Sequence, residues 1–171
     1  HIKASCKLNG IEAYYSAGYG IAIAEGSLSI SLKNCMLHDN IRAGLYSNAE
    51  SGPSTKISID MCKFFSNLKG LILNTSIVSF LNSSVFENEY GICTHSSEIK
   101  ITACDFYSNH EIALLVQPGT NCSLESCAIG GPKSIGANDV DELELNFPSK
   151  WHNGVGITAS SSSKLAANEC F

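Results

Sequence analysis

The chain has little charge, little proline and no long apolar run. Only 16% of its 171 residues are Asp, Glu, Lys or Arg, and it has 4 prolines and a single tryptophan. Its longest unbroken apolar stretch, Ile112–Val116, is far below the length of a membrane span. No basic run occurs, and 11 Lys+Arg against 16 Asp+Glu give a net charge of −5. Nucleic-acid binding is therefore not expected, because nothing matches a phosphate backbone. The sequence opens at His1 without an initiator Met, a basic n-region or an apolar h-region. The expectation is a segment of a longer chain, or a chain whose leading part has been removed. Also missing are a Gly-rich phosphate loop, a nucleophile elbow, zinc-ligand spacing and any helical periodicity long enough for a crossover helix.

What the chain does have is apolar content and cysteine. It is 44% hydrophobic, enough to bury a core, and its length suits one domain. Eight Cys would ordinarily suggest disulfides or zinc. Their surroundings instead reveal a repeat. Cys35, Cys62 and Cys104 each have apolar residues at −5 and −3, an apolar residue at +2 and Asn at +5. Ser83 takes the Cys place in a fourth matching unit. The Asn set is Asn40, Asn67, Asn88 and Asn109. Cys6, Cys127 and Cys170 mark weaker copies, and the Cys127 copy lacks the Asn. A second block comes after each Asn, as in Gly44-Leu45, Gly70-Leu71 and Gly91-Ile92. Spacings between Cys places run 29, 27, 21, 21, 23 and 43, so the unit is near 21 and the longer intervals hold insertions.

Three short alternating strands per unit of about 21 residues specify an all-β solenoid. One unit cannot bury its inner face, so units stack about 4.8 Å apart, and about seven rungs are expected. The pattern resembles the right-handed parallel β-helix of the pectate-lyase-like superfamily, in its parallel-β-helix-repeat group. That resemblance covers roughly residues 1–130 and 154–171. It implies fold rather than activity, since the superfamily holds polysaccharide lyases and hydrolases, tailspikes and noncatalytic scaffolds. The Cys-rich, Asn-bearing turns look more like the noncatalytic side, which includes domains of some F-box proteins and the SHC-binding proteins.

The whole chain, 1–171, reads as a single β-helix domain with an insertion at 130–153. Further insertions are expected between Asn9 and Gly20 and at Asn48–Thr55. The largest contains an acidic alternating run, Asp139–Phe147. Cys6, Cys35, Cys62, Cys104, Cys127 and Cys170 are assigned to one inward column of free thiols, with disulfides between stacked neighbours as the alternative. A metal is not expected, because a ladder does not converge on a point. Asn40, Asn67, Asn88 and Asn109 read as a turn ladder in which Asn takes the left-handed place and its amide bonds backbone or the next Asn. The stacked reduced thiols lean toward a cytosolic location, and the sequons at Asn74, Asn82 and Asn121 do not establish secretion.

In the superfamily's enzymes, charged residues project from the strand after the Asn turn. The outward places of that strand here are Ala22, Tyr46, Ile72, Cys93, Leu115 and Gly156, none of them acid or base. Asp39 and Glu87 share a turn column two rungs apart, with Ser66 between, which matches a glycosidase pair only loosely. No catalytic residue and no cofactor is assigned. The outward row Ala22, Tyr46, Ile72, Cys93 and Leu115 is assigned to binding a protein, because a contiguous apolar stripe on an outer face marks an interaction surface. A protein partner or further chain is expected over the ends of the coil. The alternative is a carbohydrate-active or glycan-binding protein, for which Tyr14, Tyr15, Tyr19 and Trp151 supply aromatic rings.

Overall fold

A left-handed residue ends nearly every strand of this molecule, and these residues set its shape. A computed structural model describes residues 2–23, 28–48, 54–130 and 153–170. Within them thirteen non-glycine residues have φ between 47° and 55°. Each costs roughly 1–2 kcal/mol and turns the chain sharply. They recur at fixed places, so the chain bends at the same three corners in rung after rung. The 130–153 insertion (its interior and Trp151), the Gly52-Pro53 turn and the acidic run lie outside the described residues.

Three parallel sheets result, and no helix occurs among the described residues. The first sheet holds β1 (Cys6–Asn9), β4 (Ser29–Lys33), β7 (Thr55–Asp60), β10 (Ser76–Leu81), β13 (Glu98–Thr102), β16 (Asn121–Glu125) and β19 (Lys164–Asn168). The second holds β2 (Glu12–Tyr14), β5 (Met36–His38), β8 (Lys63–Phe65), β11 (Ser84–Phe86), β14 (Asp105–Tyr107) and β17 (Ala128–Ile129). The third holds β3 (Tyr19–Ile23), β6 (Ala43–Asn48), β9 (Lys69–Asn74), β12 (Tyr90–His95), β15 (Ile112–Val116) and β18 (Val155–Ala159). Each strand pairs with its equivalent one rung away, so the fold is the parallel β-solenoid that the repeat specifies. Sheets of seven, six and six strands make the coil slightly shorter than seven full rungs.

Alternation places the core. Ile57, Ile59, Phe64, Leu71 and Leu73 of one rung are buried, as are Val78, Phe80, Val85 and Ile92 of the next. Burying each such side chain contributes roughly 1.5–3 kcal/mol.

The corner chemistry explains the repeat. A left-handed residue turns the carbonyl of the strand's last residue into the corner, where it needs a donor. The next residue supplies it. Cys35 Sγ reaches Lys33 O at 3.2 Å, and Cys62 Sγ reaches Asp60 O at 3.3 Å. Ser83 Oγ makes the same bond to Leu81 O at 2.6 Å, which is why Ser and Cys interchange. At the second corner Asn67 Nδ2 donates to Phe65 O at 2.8 Å. At the third corner, which the repeat template did not include, Ser76 and Ser97 donate to Asn74 O and His95 O.

The asparagines also link rungs. Asn40 donates through its backbone N–H and its Nδ2 to Asn67 Oδ1, at 3.0 and 2.9 Å. Asn67 does the same to Asn88, Asn88 to Asn109, and Asn109 to Asn153. Asn153 therefore fills the rung that carried no Asn in the sequence template. The left-handed place belongs to the residue before each Asn, namely Asp39, Ser66, Glu87 and Ser108, and not to the Asn.

Two further assignments change. Cys6 pairs with Ile30 in the first sheet, so it stands in the column of Ile30, Ile57, Val78 and Ile99 rather than in the Cys35 column. The Cys35 place in the first rung is taken by Ile11, after Gly10 at φ 66°. Tyr14 then pairs with His38 and Tyr19 with Ala43, so nothing is inserted between Asn9 and Gly20. The thiol column comprises Cys35, Cys62, Cys104, Cys127 and Cys170, and all eight cysteines are free.

Candidate interaction surfaces

The outer face of the third sheet carries the row read from the sequence. Ala22 pairs with Tyr46, Tyr46 with Ile72, Ile72 with Cys93 and Cys93 with Leu115, so the five stand one per rung. Leu115 then pairs with Thr158, not with Gly156, which sits two places earlier. The row is uneven. Tyr46, Ile72 and Leu115 are half-buried, while the small Ala22 and Cys93 sink to 5% and 6% exposure between larger neighbours. Asn48, Asn74 and His95 form the polar column beside it. On the other side, Lys69 Nζ lies 5.7 Å from the Tyr90 ring centre, and the Arg42 guanidinium lies 6.0 Å from that of Tyr19.

The second sheet's outer face carries a feature that the sequence reading missed. Tyr14, His38, Phe65, Phe86 and Tyr107 stand in register, one per rung. Their rings stack at centroid distances of 5.3, 4.5, 4.9 and 4.8 Å with interplanar angles of 7° or less. The signal was present at the +3 place of the repeat unit, which holds a ring in four consecutive units. That place lies one residue beyond the apolar +2 place, which points inward.

His38 is the polar member of this stack. Its Nδ1 lies 2.6 Å from Asp39 Oδ2 and its Nε2 3.0 Å from Glu12 Oε1. Burial lowers its basicity, but the hydrogen bonds and charges of Asp39 and Glu12 outweigh that and raise its pKa above 6.5. Asp39 therefore already has a partner.

At the second corner an open groove of about 720 Å³ runs between the second and third sheets. Its walls include Asp39, Glu87, Glu89, Ile41, Leu68 and Tyr15, and the buried Asn40 and Asn67 form its floor. Three of the buried thiols are chemically quiet. Burial pushes Cys62 up to about 11 and Cys104 and Cys122 to about 12, which suppresses the reactive thiolate. Among the described residues no group of three or more His, Cys, Asp or Glu is arranged to hold a metal ion. No helix among them is long and apolar enough to cross a membrane.

What the fold defines is a class, the three-sheet parallel β-solenoid. Comparison with family models, with curated proteins and with solved structures gives no match.

Proposed function

We propose that this domain is a noncatalytic scaffold of the parallel-β-helix-repeat kind that docks a protein along the outer face of its third sheet. The observation that carries this reading is the in-register row of Tyr46, Ile72, Cys93 and Leu115. Its half-buried members Tyr46, Ile72 and Leu115 offer a partner apolar contact on a rigid sheet with little ordering cost. Against the glycan reading stands the use already made of two of its rings, while Tyr15 stays 76% exposed. Sugar stacking needs an open ring face. Tyr14 stacks on His38, and Tyr19 stacks on Tyr46 at 4.3 Å.

The test is affinity capture from a native lysate with the wild type and three variants. Ile72→Glu and Leu115→Glu place a charge in the row, while Ser58→Glu places one on the outer face of the first sheet. Docking adds only part of the roughly 1.5–3 kcal/mol of full burial at the half-buried Ile72 and Leu115, but a carboxylate trapped in the contact costs more, so the first two variants are expected to lose captured partner ten-fold or more. Ser58→Glu is expected to retain it, and all three to melt cooperatively near the wild type. Equal capture by all four proteins overturns the reading.

A further inference from the structure

We propose that the groove along the second corner is a separate docking surface for an extended segment of a partner protein, apolar at one end and basic at the other. Two independent properties of the groove meet there. Tyr15, Ile41 and Leu68 are 76%, 68% and 48% exposed, high values for large apolar side chains in this molecule. Glu87 and Glu89 come at the next rung, and Asp39 lies beside Ile41. Asp39 is engaged by His38, but Arg42 and Lys69, which lean over Tyr19 and Tyr90 on the third sheet, form no ion pair with Glu87 or Glu89. Among the groove's lining residues only His110 can carry positive charge.

The coil fixes the order of these features. Ile41 N–H bonds Ser16 O, Glu89 N–H bonds Asn67 O and His110 N–H bonds Asn88 O. The corner backbone is thus used in rung-to-rung bonds, and a partner is recognised by side chains rather than by adding a strand. Ile41, Leu68 and Glu89 occupy successive rungs about 4.8 Å apart. A segment lying along the axis meets Tyr15 and Ile41 first, then Leu68, then the Glu87–Glu89 pair one rung beyond Leu68 and two rungs, about 10 Å or roughly three extended residues, beyond Ile41. The complementary segment places Lys or Arg about three residues from an apolar residue. Charge complementarity selects it over an acidic or neutral one.

The probe is a fluorescent peptide of about eight residues with leucines in one half and lysines in the other, followed by anisotropy at low and high salt. Two control peptides replace the lysines by glutamate or the leucines by serine. The expected result is saturable binding of the first peptide alone, weakened by salt. Glu87→Gln with Glu89→Gln is expected to weaken it about five-fold, and Ile41→Ser with Leu68→Ser by at least as much. Ile72→Glu, on the third sheet, is expected to leave it unchanged, so the groove and the sheet surface fail or succeed separately. No saturable binding of the leucine–lysine peptide overturns the proposal. So does equal binding of the glutamate peptide, or indifference to the groove variants.

Discussion

His38 sits between two rings and two carboxylates, and its charge is therefore tied to folding. The imidazolium gains Asp39 and Glu12 as partners in the folded state and loses both on unfolding. Because its folded pKa is raised, this contribution is full below the unfolded value of about 6.5 and is lost as pH rises through the folded pKa. His38→Phe keeps a ring in the stack and removes the titration. The Tm advantage of the wild type over His38→Phe should shrink as pH rises from about 6 to about 9. An advantage that grows over that range would show that the carboxylates do not govern this histidine.

At the scale of the element, the Asn ladder is where sequence and structure agree most closely. The +5 Asn was legible because a buried corner accepts few residues with both a donor and an acceptor in one short side chain. Asn88 shows the demand. Its two Nδ2 protons are shared among Phe64 O, Phe86 O and Asn109 Oδ1, while its Oδ1 accepts two bonds from Asn67. Asn88→Ala strands several buried groups, at about 1–3 kcal/mol each, and should lower stability by about 3 kcal/mol or more in denaturant melts. A loss below about 1 kcal/mol would mean that water replaces the amide. Other elements hid themselves for identifiable reasons. Ile11 occupies a Cys place, after Gly10 at φ 66°, so a repeat keyed to Cys misplaces Cys6 in this rung. Asn153 was hidden by the residues between it and Gly130. The aromatic stack is hidden from an apolar–polar pattern, because its place mixes His38 and Tyr107 with Phe65 and Phe86. The third sheet's row was legible in its pairing, but its relief was not. Burial of Cys93 and Ala22 depends on neighbours in adjacent rungs, which no single unit specifies.

At the scale of the molecule, stability is shared between neighbouring rungs and no single contact holds the whole. The middle rungs pair on both sides, as β9 does with β6 and β12. The outermost described strand of the first sheet, β19, is exposed at all five residues, with Leu165 at 38%.

The rung-to-rung amide chain has a consequence for where this coil can be cut and rejoined. Gly130 bonds Phe106 O and Asn153 bonds Asn109, so the chain leaves and re-enters the coil at one corner. The repeat unit asks for one left-handed residue between these two points. The corner therefore behaves as a splice junction, at which the length of the intervening segment does not alter the frame of the last rung. Replacing residues 131–152 by a single glycine should give a shorter chain that keeps Asn153 in place and melts within a few degrees of the parent. A chain that fails to fold, or that loses the protection of β18 and β19 in hydrogen exchange, would show that the excised segment also supports the coil.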